Sequence, residues 1–132
     1  MLDKQAINPW QWQDRAGFSQ AIEVRGGQRI VYCSGQTSVD DDGNPMYAGD
    51  IVEQANQALD NLETVLKQAG LTLANVVRLN YYTTDMVAFH SAGPVLGRRL
   101  GAAGCKPAST LLAVAGLFHP DVMLEIEATA IA

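Results

Sequence analysis

The feature that most constrains the fold of this chain is an apolar segment near its C-terminus that contains two carboxylates. Residues 122–131 alternate with the two-residue period of a β-strand. One face is apolar throughout, whereas the other contains Glu125 and Glu127. Because burying an unpaired carboxylate is costly, both glutamates need solvent, a hydrogen-bond partner or a chemical role. A solvated or ion-paired face is the ordinary explanation for such residues.

The clearest helix of the chain is predicted to begin after Asp50, which is a good N-cap residue. Gly70 supplies a typical left-handed end. Between these two residues the apolar side chains recur at helical spacing and share one face. The residues of that face are Ile51, Ala55, Ala58, Leu59, Leu62, Val65, Leu66 and Ala69.

A second helix is predicted after Asp85, with its main part starting near residues 91–92, because Pro94 is tolerated only in the first turn. This helix contains a glycine at every fourth position, and each glycine costs roughly 1 kcal/mol of helix stability relative to alanine. We expect the glycines to allow a close approach to a sheet or another helix. They are Gly93, Gly97 and Gly101.

Five strands complete the prediction, and two of them, separated by a Gly26-Gly27 turn, should form a hairpin. The resulting order is β-β-α-β-α-β-β, which indicates an α+β fold with two helices packed on one mixed sheet. The predicted strands are 18–24, 29–34, 76–83, 108–114 and 122–131.

Composition and charge place the chain among ordinary globular proteins. It has 132 residues, of which 48% are apolar, so residues 1–132 are expected to form a single domain with a real core. The net charge of −5, with no basic cluster larger than Arg98-Arg99, is unfavourable for nucleic-acid binding. Residues 1–5 lack the features of a signal peptide and no apolar run is long enough to cross a membrane. A cytoplasmic protein without a membrane partner is therefore expected.

Metal and thiol chemistry are not indicated. Residues 40–44 partly fit a calcium-binding loop, but the twelfth position of such a loop would be Gly49 instead of glutamate, so a surface turn is expected. The histidines are not at metal-ligand spacing, and no metal site is predicted. Cys33 and Cys105 are expected to be free thiols without a nucleophilic role.

Four segments, in this order and spacing, together resemble the YjgF/RidA (endoribonuclease L-PSP-like) family. They are Tyr32–Thr37 with its Ser-Gly-Gln, the helix Asp50–Leu71, Lys106–Thr110 with its Pro-Ala, and Leu124–Ala128 with its Leu-Glu-Ile-Glu-Ala. The resemblance covers nearly the whole chain. It implies a chorismate-mutase-like fold assembled as a homotrimer, with ligand clefts between subunits.

The resemblance also implies roles for individual residues. Glu125 matches the glutamate that holds the attacking water in the family's deaminases, and Ser34 and Gly35 match a Ser-Gly pair that lines the pocket. Phe18 matches an aromatic residue that is usually tyrosine, so its hydroxyl is missing. Ser109 stands where the deaminases have the arginine that binds the substrate carboxylate.

Further departures from the family pattern are Gly93, where many members have asparagine, and Leu111, where some have cysteine. A different cation could replace the missing arginine. The candidates are Arg15, Arg78, Arg98, Arg99 and Lys106.

Two functions follow from these residues. The first is a hydrolase of the deaminase type that acts on an imine or enamine, with Glu125 positioning water and Ser34 and Ser109 binding the substrate. It would need no cofactor because an iminium carbon is already electrophilic. Arginine-dependent deamination of 2-imino acids is not expected, since a serine brings no charge. The alternative is a non-catalytic trimer that binds or senses a small metabolite at its interfaces.

Overall fold

A computed structural model describes residues 2–132 and contains an α+β arrangement of two helices on a mixed sheet. The strands within that range are β1 (Asp3–Ile7), β2 (Ala21–Arg25), β3 (Ile30–Gln36), β4 (Val76–Thr83), β5 (Ala108–Ala113) and β6 (Leu124–Ile131). The α-helices are α1 (Ile51–Gln68) and α2 (Met86–Ala102), and short 3-10 helices occupy Trp12–Ala16 and Leu73–Asn75. The fold class predicted from the sequence is confirmed.

The main sheet has four strands in the order β3-β6-β4-β5. Strands β4 and β5 run parallel, whereas β6 is antiparallel to both of its neighbours. The sheet is therefore mixed, as predicted. Strands β1 and β2 form a separate two-stranded antiparallel sheet.

The core lies between this sheet and both helices, and α1 begins as predicted. The Asp50 carboxylate accepts a hydrogen bond from the Glu53 amide at 3.1 Å and caps the helix. Leu59, Leu62 and Leu66 are fully buried, and each such side chain contributes about 1.5–3 kcal/mol on leaving water. The side chains of β6 in the same core are Leu124, Ile126, Ala128 and Ala130.

The predicted N-terminal hairpin is wrong in its pairing. The turn at Gly26 is present, but β3 pairs with β6, and β2 pairs with β1 instead of β3. Strand β3 presents Val31 and Cys33 to the helix side, and its neighbour β6 continues that apolar surface. Strand β2 starts at Ala21, not at Phe18. The prediction lacked β1, because all five of its residues are exposed and show no apolar face.

Helix α2 is longer than predicted, because Pro94 lies inside it. Its N-cap is Asp85, whose carboxylate accepts from the Ala88 amide at 3.0 Å. A proline at position 94 leaves the carbonyl of His90 without its helical donor. Both residues are exposed, so water can satisfy that carbonyl. The buried face that holds the helix together consists of Phe89, Ala92, Val95, Leu96 and Leu100.

The glycine stripe of α2 does not mark a close approach, contrary to the expectation from sequence. A Cβ atom added at Gly93, Gly97 or Gly101 would meet no other atom of the described chain within 4 Å. The three glycines therefore leave one face of the helix open.

The substitution Gly97→Ala should raise the free energy of unfolding by about 1 kcal/mol, because alanine is the better helix former and nothing obstructs its methyl group. Urea denaturation of the purified protein measures this. The matched control is Gly70→Ala, where φ is +76°, so that the substitution should lower stability by about 1–2 kcal/mol. A loss of stability in Gly97→Ala would show that the glycine stripe packs against another chain.

Candidate functional site

The strand register places the predicted site residues on two opposite faces of the main sheet. Paired residues share a face, and Ser109 pairs with Leu79, which in turn pairs with Ala128. Leu79 and Ala128 are buried against the helices, so Ser109 lies on the helix-facing side. Glu125 pairs with Tyr82 and is offset from Ala128 by an odd number of residues, so it lies on the other, open face. One copy of the chain therefore does not bring Ser109 and Glu125 together.

On the open face, the carboxyl group of Glu125 lies directly over Gly35. A Cβ atom at position 35 would overlap the Glu125 carboxyl group. The pairing register between β3 and β6 also shifts between Cys33 and Gln36, which indicates a β-bulge around Ser34 and Gly35. Ser34 is exposed beside it. The Ser-Gly pair thus creates the space that the Glu125 side chain occupies.

Glu127 lies near Glu125 but in a different electrostatic environment. It accepts hydrogen bonds from the Tyr82 hydroxyl at 2.8 Å and from Asn80 Nδ2 at 3.2 Å, and these bonds lower its pKa. The pKa of Glu125 is raised, first by partial burial and second by the neighbouring Glu127 charge. Two adjacent carboxylates with pKa values moved in opposite directions are suited to different roles. Glu125 is the better base, whereas Glu127 is the more persistent anion.

The helix-facing side contains an open cavity of about 910 Å³ between the Trp12–Ala16 turn, α2 and β5. Phe18 lies in its wall, with its ring edge-on to Trp12 at 5.8 Å between centroids. The four positions at which the chain departs from the YjgF/RidA pattern all line this cavity, and they are Phe18, Gly93, Ser109 and Leu111. By contrast, the matching residues Ser34, Gly35 and Glu125 lie outside it.

The cations that were candidates to replace the missing arginine separate into two groups. Arg99 forms ion pairs with two residues of α1, Asp60 at 2.7 Å and Glu63 at 3.3 Å. Arg78 donates to Thr110 Oγ1 at 2.7 Å on the open face, away from the cavity. The cations that line the cavity are Arg15, Arg98 and Lys106.

The two cysteines and the turn at residues 40–44 do not contribute to the candidate site. Both cysteines are free and buried, and burial raises the pKa of Cys105 to about 11 and raises that of Cys33 as well. Residues 40–44 form the expected surface turn, in which Asp40 Oδ1 accepts from the amides of Asp42 and Asn44 at 2.9 Å each. Across residues 2–132 no three His, Cys, Asp or Glu side chains are grouped as metal ligands would be.

Some functional positions were missed by sequence reasoning. Tyr82 and Asn80, which hold Glu127, could be found only once the register of β4 against β6 was known. Gly97 and Gly101, which line the cavity, were visible as a glycine stripe but were interpreted as a packing contact. Neither α1 nor α2, the α-helices of residues 2–132, has the length and apolarity needed to cross a bilayer.

Comparisons with known proteins show the family and the fold. A sequence profile described as endoribonuclease L-PSP matches residues 11–132. The protein DfrA from Myxococcus xanthus is 34% identical over 114 residues, covering 86% of this chain and 84% of its own length. The 2-iminobutanoate/2-iminopropanoate deaminase of Mus musculus is 35% identical over 114 residues, covering 86% of this chain and 80% of its own length. The crystal structure of the Rid-family protein YyfB from Yersinia pestis, whose function is unknown, superposes with a TM-score of 0.86 at 31% identity over 98% of both chains.

Removal of the charge at position 127 should lower the pKa of Glu125. In Glu127→Gln the repulsion from the neighbouring carboxylate is lost, but burial, the larger cause, is retained. The pKa of Glu125 should therefore fall and still exceed its ordinary value, as measured by titration of carboxyl carbons by NMR. Asp41→Asn, on an exposed turn whose charge is not among the causes of the Glu125 shift, should leave it unchanged. An unchanged or higher pKa in Glu127→Gln would contradict the arrangement of the two glutamates.

Proposed function

The chain belongs to the YjgF/RidA (endoribonuclease L-PSP) family, and from this membership we propose that it hydrolyses the C=N bond of a small imine or enamine. The observation that carries the proposal is the separation of matching and departing positions. On one face of the sheet, Glu125 occupies the space above Gly35 that a side chain at position 35 would fill. On the other face, the positions that depart from the family pattern line the cavity. The reacting half of the site is retained and the ligand-binding half has changed.

The proposed reaction needs only a carboxylate and water. An enamine is first protonated to its iminium form. Glu125 then accepts a proton from a water molecule while the water oxygen bonds to the iminium carbon and the C=N π electrons move to nitrogen. Glu125 returns that proton to the nitrogen of the tetrahedral intermediate. The C–N bond then breaks, ammonia leaves, and the hydroxyl group becomes the carbonyl of the product as it gives its proton to the ionised Glu125, which releases it to solvent.

A raised pKa suits Glu125 for this role, because general bases are most effective when their pKa lies close to the working pH. The persistent charge of Glu127 supports the raised value. The mouse relative is a deaminase of 2-iminobutanoate and 2-iminopropanoate, which supports the reaction class. The substrate differs from a small 2-imino acid, since Ser109 offers one neutral hydrogen-bond donor where an arginine would offer a charged fork.

The active site of this proposal is formed by two copies of the chain. Glu125 and Ser109 lie on opposite faces of one sheet, so the cavity of one copy must face Glu125 of another. A homotrimer with three such clefts is the assembly that family membership favours. Within the proposal the protein is cytoplasmic, and with a net charge of −5 it binds neither nucleic acid nor membrane.

Ammonia release from 2-aminoacrylate and from uncharged imines tests the reaction. The substitution Glu125→Gln should reduce kcat by about 10²–10⁴, the usual contribution of a general base. Glu127→Gln should keep most of the activity. In the wild type kcat should rise with pH through the pKa of Glu125, because only the ionised carboxylate accepts a proton. Equal ammonia release by wild type and Glu125→Gln would refute the proposal. Ligand-dependent thermal stabilisation without turnover would favour a non-catalytic binding trimer.

Co-expression of two inactive variants tests whether the site is shared. Glu125→Gln removes the base, and Gly93→Phe fills the cavity of the other half, where an added Cβ atom meets no other atom within 4 Å. Random assembly leaves about a quarter of the clefts with both halves intact, so about a quarter of the wild-type activity should return. Co-expression of Glu125→Gln with Glu125→Ala is the control and should restore nothing. Absence of recovery in the mixed Glu125→Gln and Gly93→Phe protein would place the whole site within one copy.

A further inference from the structure

We propose that the cavity on the helix-facing side, which contains Ser109, binds an elongated organic carboxylate whose neutral end lies beside Ser109 and whose anionic end is held by Arg98, Arg15 and Lys106. This inference rests on the proposed function, because it names the substrate class of the same site. In the resembled deaminases, the position of Ser109 carries an arginine charge. In this chain, side chains in the outer part of the cavity supply the positive charge instead.

A narrow pocket of about 100 Å³, the inner part, adjoins the cavity and shares Phe18, Gly93 and Ser109 with it. The described residues that line this inner part include no charged side chain. Phe18, Tyr81, Phe89 and Gly93 surround Ser109 there. Ser109 lines this part and is half-buried, so its hydroxyl is placed to donate a hydrogen bond to a ligand. This part suits an apolar or neutral polar group and disfavours a carboxylate, which would have no cation to pair with.

The wider outer part is cationic. Arg15, Arg98 and Lys106 come from three separate segments and line this part but not the inner one, and Lys106 also lines a pocket beside β1. Asp14 is the one carboxylate among the described residues that line the outer part. None of the three takes part in an ion pair within residues 2–132. In contrast, Arg99, the neighbour of Arg98, points the other way and is paired on α1. The outer cations are thus available to a ligand.

The glycine stripe of α2 lines the cavity and leaves room for an extended ligand. Gly93 lines the inner part, Gly101 lines the outer part, and the two are about 12 Å apart along α2 at 1.5 Å per residue. Within one copy of the chain, the outer part has a volume of about 910 Å³, at the upper end of ligand-pocket volumes, about 300–1,000 Å³. A three- or four-carbon imino acid would leave most of this space empty. A longer molecule fills it and reaches from Ser109 to Arg98.

Charge supports an anion over a neutral ligand. The whole chain has a net charge of −5, with nine Lys and Arg residues against fourteen Asp and Glu residues. Three of those nine cations nevertheless line one cavity. Cations concentrated in a cleft raise the local concentration of an anionic ligand, and a guanidinium fork binds a carboxylate through two hydrogen bonds.

Binding of hexanoate, acetate and the neutral hexanamide to the wild-type protein, measured by calorimetry or NMR, tests the proposal. Hexanoate should bind more tightly than either of the others, and its affinity should fall as salt is added. Arg98→Gln should weaken hexanoate by about 10-fold, the value for one charged hydrogen bond, and leave hexanamide unchanged. Gly97→Leu should weaken both ligands, because it fills the groove without a change of charge.

Arg25→Gln is the matched charge control, since Arg25 is exposed on β2 and pairs with Glu23 away from the cavity. Hexanoate affinity should be unchanged in this variant. Equal affinities for hexanoate and hexanamide, or an equal loss in Arg25→Gln and Arg98→Gln, would overturn the proposal. If hexanoate fails to bind while Glu125-dependent ammonia release persists, this inference fails and the proposed reaction stands. Binding of hexanoate without turnover of any imine would support the inference and refute the proposed reaction.

Discussion

The alternation of strand β6 is the constraint on which the rest of this structure depends. The strand lies between β3 and β4, so both of its edges are used in hydrogen bonding and its faces are fixed by the buried side chains. Leu124, Ile126 and Ala128 bury against the helices, which forces Glu125 and Glu127 onto the opposite face. A shift of one residue would place both carboxylates in the core, which is prohibitively costly. The position of Glu125 therefore follows directly from the packing of the core.

Much of this fold could be predicted because its main elements have strong local patterns. Helix α1 has a cap and an apolar stripe, and β4 has the predicted bounds of Val76–Thr83. The errors arose where tertiary contacts decide the outcome. The partner of β2 depends on which strand completes the sheet beside β6, and a turn signal at Gly26 does not show this. Helix α2 continues through Pro94 because its buried face outweighs one lost hydrogen bond.

The site was less predictable than the fold for a related reason. Glu125, Gly35 and Ser109 could be singled out by resemblance, but the sheet face on which each lies requires the register between strands. That register separates the residues into two half-sites on opposite faces, one with a shaped carboxylate and one with a changed cavity. In the proposed site, the missing arginine is therefore one part of a wider change in a cavity that is lined by Ser109, by the glycines of α2 and by three cations. In the proposed site, the reacting carboxylate and the ligand-binding cavity lie on different faces of the sheet, so each can change separately.

The central claim is that the cavity of one copy and Glu125 of another form a single cleft. A crystal structure of the assembled protein tests it most directly. We predict that Glu125 of one subunit and Ser109 of its neighbour face the same enclosed space, with Gly35 beneath the carboxylate and the three cavity cations toward its opening. An assembly in which Glu125 faces bulk water, or in which the cavity opens away from every neighbouring subunit, would contradict the account.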